Sequence, residues 1–353
     1  MSASPLRPQP KSTGLDKTKV VVLLSGGLDS NLSARIMLDQ NIEVEAVAVR
    51  TPFCDFDCGK GCGHRVQEVA DSLGIRLNTV YFGEDYLAML KNPRHGFGSG
   101  MNPCIDCRAM MYKAAKDHME KIGASYLVTG EVLSQRPMSQ NRNALRIIEK
   151  ETNLIGKVIR PLSARLLPPS DAETLGVVDR SKLLSISGRS RKLQLGLARQ
   201  FKVQNPPNSA GGCLLTDPAF SKRVNDLFEH SDSIPTLNDV ELLKVGRHFR
   251  LSPFAKLIVG RNKNENEILS LLRLNTDYSF ETLDFNGPLG ILRIKRGYSL
   301  GNELIALAGS IVARYSDAPR DQELKLNVVH EQVASTMFCR AMCESDVQQR
   351  LII

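Results

Sequence analysis

The run Lys19–Leu24 (KVVVLL) is apolar and β-branched, and it stops abruptly at Ser25-Gly26-Gly27. Such a run has the pattern of a strand buried on both faces in a parallel sheet. Two glycines directly after it let the backbone turn sharply and aim successive N–H groups at one point. Asp29 and Ser30 then open a helical pattern that continues to about Asp39, and the start of a helix carries partial positive charge. The residues SGGLDS at 25–30 therefore describe a strand–turn–helix connection shaped to hold an anion. The other common phosphate-holding pattern, GxxxxGK[ST], occurs nowhere in the chain.

Strand and helix patterns keep alternating beyond this turn. Val44–Val49 and Arg76–Phe82 read as strands, 64–73 and 104–122 as helices, 92–103 as a Gly/Pro-rich loop and Ser125–Thr129 as a further strand. This order predicts an α/β fold with a doubly wound, mainly parallel sheet. Ligands on such sheets sit outside the carboxyl ends of the strands. The SGG turn, the Cys54–Cys62 loop and the Gly130 turn all follow strands, so all three are expected on one face. A turn-rich stretch, NPPNSAGGC at 205–213, precedes a change of texture near residue 233. The expected division is a basic arm at 1–18, an α/β domain at 19–232, a smaller α+β domain at 233–315, and a linker with a C-terminal helix at 316–353.

No apolar run reaches the length of a membrane-spanning helix, so no membrane partner is expected. The arm holds Pro5, Pro8, Pro10 and several basic residues but no apolar block. It reads as disordered and not as an export signal, which predicts a cytoplasmic, reducing location. The formal net charge of +8 is uneven: residues 142–202 hold 13 Lys and Arg against 5 Asp and Glu, and residues 242–296 hold 10 against 5. Segments of that kind suit a phosphate backbone or a solvated surface, and charge alone does not choose between them.

SGGLDS is the PP-loop pattern SGGxDS of enzymes that split ATP into AMP and pyrophosphate. It is followed in order by NPCIDCRAMM at 102–111, TGEVLSQRPMSQ at 129–140 and IRPLSA at 159–164. Over about 19–215 the chain thus resembles the tRNA sulfurtransferases of the 4-thiouridine synthetase type. The resemblance implies an adenine nucleotide alpha hydrolase-like fold, with ATP and Mg²⁺ as cofactors and tRNA as substrate. It implies nucleotide contacts at Leu24, Ser25, Gly26, Gly27, Leu28, Asp29, Ser30, Arg108, Gly130 and Gln140, with Asp29 also catalytic. The implied chemistry is adenylation of a uridine carbonyl oxygen, followed by its replacement with sulfur from sulfide or a cysteine desulfurase-linked carrier. The stretch before the first strand is too short for the N-terminal RNA-binding module of that family, and no rhodanese-like domain is evident at the C-terminus.

Cys104-x-x-Cys107 opens the predicted long helix, where a thiolate is electrostatically favoured. Cys213 stands in GGCLLT, where such sulfurtransferases have a catalytic cysteine. Three readings of this trio stay open: ligands of a [4Fe–4S] cluster with one open iron, a persulfide resolved by a second cysteine, or structural side chains. Cys54, Cys58 and Cys62 form C-x3-C-x3-C, a spacing that suits Zn²⁺ or a second cluster but matches no standard zinc finger. Cys339 and Cys343 read as ordinary side chains on a predicted helix.

The block VGRHFRLSPFAKLIVGRNKNENEIL at 245–269 is similar to the NFACT-R type of RNA-associated domain. That similarity spans about 240–310 and implies phosphate contacts from Arg247, His248, Arg250, Lys256, Arg261 and Lys263. Two competing functions remain: a PP-loop amide-forming ligase, which needs no thiolates, and a non-catalytic RNA-binding factor with a structural PP-loop.

Overall fold

A computed structural model describes residues 18–53, 62–204 and 213–352, with backbone alone at 62–64. The expected basic arm before residue 18 lies outside these residues. The chain runs β1 (Lys19–Leu23), α1 (Leu28–Leu38), β2 (Glu43–Arg50), α2 (Cys62–Leu73), β3 (Leu77–Tyr81), α3 (Glu84–Lys91), α4 (Cys104–Ile122) and β4 (Tyr126–Thr129). It continues with α5 (Arg142–Glu151), β5 (Val158–Ile159), α6 (Asp171–Thr174), α7 (Lys192–Gln200), α8 (Pro218–Glu229), α9 (Leu237–Leu242), β6 (Arg247–Ser252) and β7 (Ala255–Val259). The last elements are α10 (Lys263–Leu272), β8 (Tyr278–Thr282), β9 (Gly290–Ile294), α11 (Asn302–Arg314), β10 (Glu323–His330), β11 (Val333–Arg340) and α12 (Glu344–Arg350). No helix among the described residues is long and apolar enough to cross a membrane.

Two compact units result. The first takes Met1–Val49, Asp57–Val80 and Arg108–Ala210, and the second takes Arg50–Phe56, Tyr81–Cys107 and Gly211–Ile353. In the first, five strands lie in the order β3-β2-β1-β4-β5, and β1 pairs in parallel with both β2 and β4. The fold is the expected α/β doubly wound sheet. Val20, Val21 and Val22 are wholly buried, as the unbroken apolar run of β1 requires. Strand order reverses between β1 and β4, which is where such sheets open a crevice for a ligand. The SGG turn leaves β1 and the Gly130 turn leaves β4 at that point.

A buried ion network fixes the carboxyl end of β4. The Glu131 carboxylate is 2% exposed. Its Oε2 accepts from Tyr112 Oη at 2.6 Å, Arg160 Nε at 2.9 Å and Thr129 Oγ1 at 3.1 Å. Arg108 Nε lies 3.5 Å from Oε1, and Arg160 also pairs with Glu149. Burial pushes the Glu131 pKa up, but Arg160 and Arg108 outweigh it and hold the group below its ordinary value. The TGE and RPL motifs are thus two halves of one contact.

The second unit contains a six-stranded sheet in the order β11-β10-β8-β9-β7-β6, antiparallel throughout. Phe249, Leu257, Phe280 and Leu292 from the sheet meet Ile311 and Val312 of α11 in its core. Residues 316–353 are not a linker with a helix from near Glu331, as the sequence suggested. They supply the β10–β11 hairpin, and only α12 is helical. Leu324, Leu326 and Val328 alternate inward along β10 and join the core, so 323–340 completes the sheet begun at Arg247. The units also cut across the expected 19–232 and 233–315 division, because 50–56 and 81–107 fold with the C-terminal half.

Glu131→Gln removes the charge and keeps the shape. Because buried cations then lose their counter-charge, unfolding stability should fall by about 3–5 kcal/mol at pH 7. A group whose folded pKa is depressed contributes above its unfolded pKa and loses that contribution as pH falls. The wild-type advantage in urea unfolding should therefore shrink below pH 4.5, the ordinary Glu value.

Candidate active site

The SGGLDS turn is closed by its own two serines. Ser30 Oγ accepts from the Ser25 amide at 3.2 Å, lies 3.2 Å from Ser25 Oγ, and donates to the Gly27 carbonyl at 3.1 Å. Gly26 has φ of 74°, a conformation that L side chains rarely adopt. Leu24 N donates to Val47 O at 2.9 Å, so the turn starts from a strand still held in the sheet. Gly27 is the N-cap of α1 and supplies no side-chain cap. The first-turn amides of α1 are consequently left for an anion. Leu28 is buried beneath the turn, whereas Ser25 is exposed.

Asp29 stands in the first turn of α1. Its Oδ2 accepts from Gln135 Nε2 at 3.1 Å, while Oδ1 is buried with no hydrogen-bond partner. Burial raises its pKa against the opposing influence of Gln135, Arg191, Gln194 and Arg136. Gln194 is fully buried, and neither end of its amide closes a hydrogen bond. Sequence reasoning missed Gln135, Arg136, Arg191 and Gln194 as neighbours of Asp29. The first two lie inside the TGEVLSQRPMSQ segment, whereas Arg191 and Gln194 come from α7 and its approach and carry no motif. A lone carboxylate oxygen of this kind is the hard donor that Mg²⁺ takes.

Gly130 makes the tightest approach. A Cβ there would sit 2.5 Å from the Ser30 amide nitrogen and 2.7 Å from the Asp29 carbonyl carbon. Any side chain would push the β4 turn off the start of α1. Arg108, expected at phosphate, has its Nε 3.5 Å from Glu131 Oε1. Gln140 is buried, and its Oε1 accepts from the Arg136 amide at 3.1 Å, closing the 134–140 turn on itself.

Cys104 and Cys107 occupy the first turn of α4, in the second unit, and Cys213 caps the short turn at Leu214–Thr216 in the same unit. The Met101 amide donates to Leu215 O at 3.0 Å and lies 3.4 Å from Ser221 Oγ, so the loop before Cys104 is stitched to the segment after Cys213. Asp106 holds the same loop by accepting from the Arg94 and His95 amides, each at 3.0 Å. All three cysteines are half-buried. Among the described residues, no group of three or more His, Cys, Asp and Glu stands close enough to hold a metal ion. Cys54, Cys58 and the side chain of Cys62 lie outside the described residues. Cys339 is buried on β11, where burial pushes its thiol up to about 11, and Cys343 is exposed.

Most of the residues expected to contact phosphate at 247–263 are buried or already paired within the unit. His248 is wholly buried and Lys256 is 8% exposed, so neither stands on a free surface. Arg250 and Lys256 pair with Asp226, and Arg261 pairs with Glu265. Arg247 lies over the Tyr315 ring at 4.4 Å. Of the six, only Lys263 remains on an exposed face without a described ion pair.

Residues 16–165 match the family described as thiamine biosynthesis protein (ThiI), and residues 246–350 match the NFACT protein RNA binding domain. A tRNA-specific 2-thiouridylase from Janthinobacterium sp. is 25% identical over 248 residues, covering 67% of this chain and 63% of that protein. A 4-thiouridine synthetase solved with RNA and ATP is 27% identical, with 47% of this chain and 40% of that one covered and a TM-score of 0.33. The U34-tRNA thiolase of Methanococcus maripaludis, solved with its [4Fe-4S] cluster, is 16% identical, with coverages of 62% and 67% and a TM-score of 0.33. At such TM-scores these two likenesses carry no argument. The matched region spans 36% to 63% of the length of the first curated relatives. Residues 16–165 of this chain are thus similar to the ThiI family, and residues 246–350 are similar to the NFACT RNA-binding domain.

Proposed function

We propose that this chain is an ATP-dependent tRNA sulfurtransferase that forms AMP and pyrophosphate. The observation that carries this reading is the PP-loop itself: a serine-closed turn, an uncapped helix start and an orphaned Asp29 oxygen at the switch point of the sheet. In this reading the turn amides and the start of α1 bind the ATP phosphates and orient them for in-line attack. Asp29 Oδ1 would hold Mg²⁺, which would offset the charge of the separating phosphates. A uridine carbonyl oxygen attacks the α-phosphorus and pyrophosphate leaves. A sulfur nucleophile then adds at the activated carbon, and AMP departs with the former carbonyl oxygen.

Cys104, Cys107 and Cys213 are the side chains assigned to sulfur handling. Their soft thiolates fit a [4Fe–4S] cluster, which when bound supplies an iron with a position open to a sulfur ligand. A second reading puts a persulfide on one cysteine and resolves it by disulfide formation with another. The amide-ligase alternative gives no role to thiolates, and a structural PP-loop would not need an orphaned carboxylate oxygen at its mouth.

Asp29→Ala should abolish tRNA-dependent pyrophosphate release with little change in melting temperature, because burial disfavours the Asp29 charge and the change breaks only the Oδ2 bond from Gln135. Pyrophosphate release that survives in this variant would overturn the assignment. Serine at Cys104, Cys107 or Cys213 should stop thiolation, read as thiouridine in digested tRNA, while pyrophosphate release persists. Iron in anaerobically purified protein distinguishes the two sulfur routes: loss of iron in each serine variant marks the cluster, and iron-free wild-type protein that still thiolates marks the persulfide.

A further inference from the structure

The second unit holds a cavity of about 430 Å³ that none of this chemistry uses. Its walls come from the α8–α9 connection and from β6, β7 and β9. The volume lies within the range of small-molecule sites, roughly 300–1,000 Å³. What marks it is an imbalance of charge. The Asp226 carboxylate accepts from Arg250 at 2.9 and 2.7 Å and from Lys256 Nζ at 2.8 Å. One anion therefore faces two cations, and Lys256 is only 8% exposed.

Two further cations at the cavity are paired, and a third, Arg296, is exposed with no described ion pair. Arg293 spends its guanidinium on Asp277, Asp239, Asn238 and a backbone carbonyl, and Lys295 pairs with Asp232. At Asp226 the second cation is Lys256, whose pKa burial pushes down to about 8 against the pull of Asp226. Beside it, His248 donates from Nε2 to Val245 O at 2.8 Å. Burial, with Lys256 and Arg223 near, holds that ring neutral, and its Nδ1 is a buried acceptor without a partner. A purely structural ion cluster has no use for a surplus buried cation or for a bare acceptor. Ile234, Ile294 and Phe254 give the cavity an apolar side, Ser231, Ser233 and Thr236 a polar one, and Phe254 is stacked on Tyr298 at 4.9 Å between centroids.

We propose that this cavity binds a mononucleotide unit, with its phosphate on Lys256 and Arg250 and its base against Phe254. The Nδ1 of His248 accepts from a hydroxyl or N–H of the same ligand. Two sources carry this chemistry, a free nucleoside 5′-monophosphate and the 5′-phosphorylated end of an RNA chain. The site is independent of the PP-loop reading.

The test is calorimetric titration of the full-length chain with GMP, CMP and UMP, leaving out adenine nucleotides because the PP-loop is assigned to them. The matching nucleosides, inorganic phosphate, and a uridine trinucleotide with and without a 5′-phosphate complete the set. Saturable binding of at least one phosphorylated probe is expected, with nucleosides and inorganic phosphate at least about tenfold weaker. A phosphorylated trinucleotide that binds as tightly as UMP identifies an RNA end as the source, and binding confined to the monophosphates identifies free nucleotide. Lys256→Met should weaken binding at least about tenfold while leaving the melting temperature unchanged or higher, because the remaining Asp226–Arg250 pair is charge-balanced. Ile234→Glu places a negative charge at a position 43% exposed and should weaken binding at an unchanged melting temperature. No saturable binding of any phosphorylated probe, equal binding of inorganic phosphate, or affinity that both variants retain would overturn the proposal. Pyrophosphate release is unaffected by any of these outcomes, so the two readings fail separately.

Discussion

The Glu131 carboxylate, shut away from water and shared by Tyr112, Thr129 and Arg160, is the constraint on which the candidate nucleotide site rests. Its partners come from α4, from the end of β4 and from the turn after β5. In a low-dielectric interior none of them can move without stranding a charge, so three elements are held in register by one group. Gly130 sits between Thr129 and Glu131, and its contact with the start of α1 is imposed by that arrangement. The shape of the SGGLDS turn is therefore set from two sides, by β1 through the backbone and by β4 through the buried charge.

Much of the first unit was legible in the sequence. Unbroken apolar runs marked the strands of a parallel sheet, and the glycines of SGGLDS and TGE marked turns, through the positive φ of Gly26 and the close approach at Gly130. The neighbours of Asp29 on and before α7 were not legible, because Arg191 and Gln194 lie more than 160 residues away and belong to no pattern. The ion pair of Arg108 was hidden for a similar reason. The resemblance placed Arg108 at phosphate, and only the fold reveals the buried carboxylate beside it.

The second unit was harder to read. The β10–β11 hairpin has one buried face only, and β11 is an edge strand with Val333 and Phe338 exposed. Its alternation is weak, and a helical spacing of Cys339 and Cys343 suits the same residues. Likewise, Arg250 and Lys256 look like surface cations because their counter-ion, Asp226, lies in α8, outside the basic block. Charge counted along a chain says nothing of charge neutralised across it.

The composition of the second unit bears on how such a protein can be inherited. Its sheet is continuous in sequence, but the unit also takes in 50–56 and 81–107, which interrupt the first unit. Phe53 packs on Tyr86 and Phe220, joining these pieces through aromatic rings. A gene segment beginning at residue 211 would leave those pieces behind. A gene segment carrying only residues 246–350 would bring the whole six-stranded sheet but none of the Phe53–Tyr86 and Phe53–Phe220 contacts.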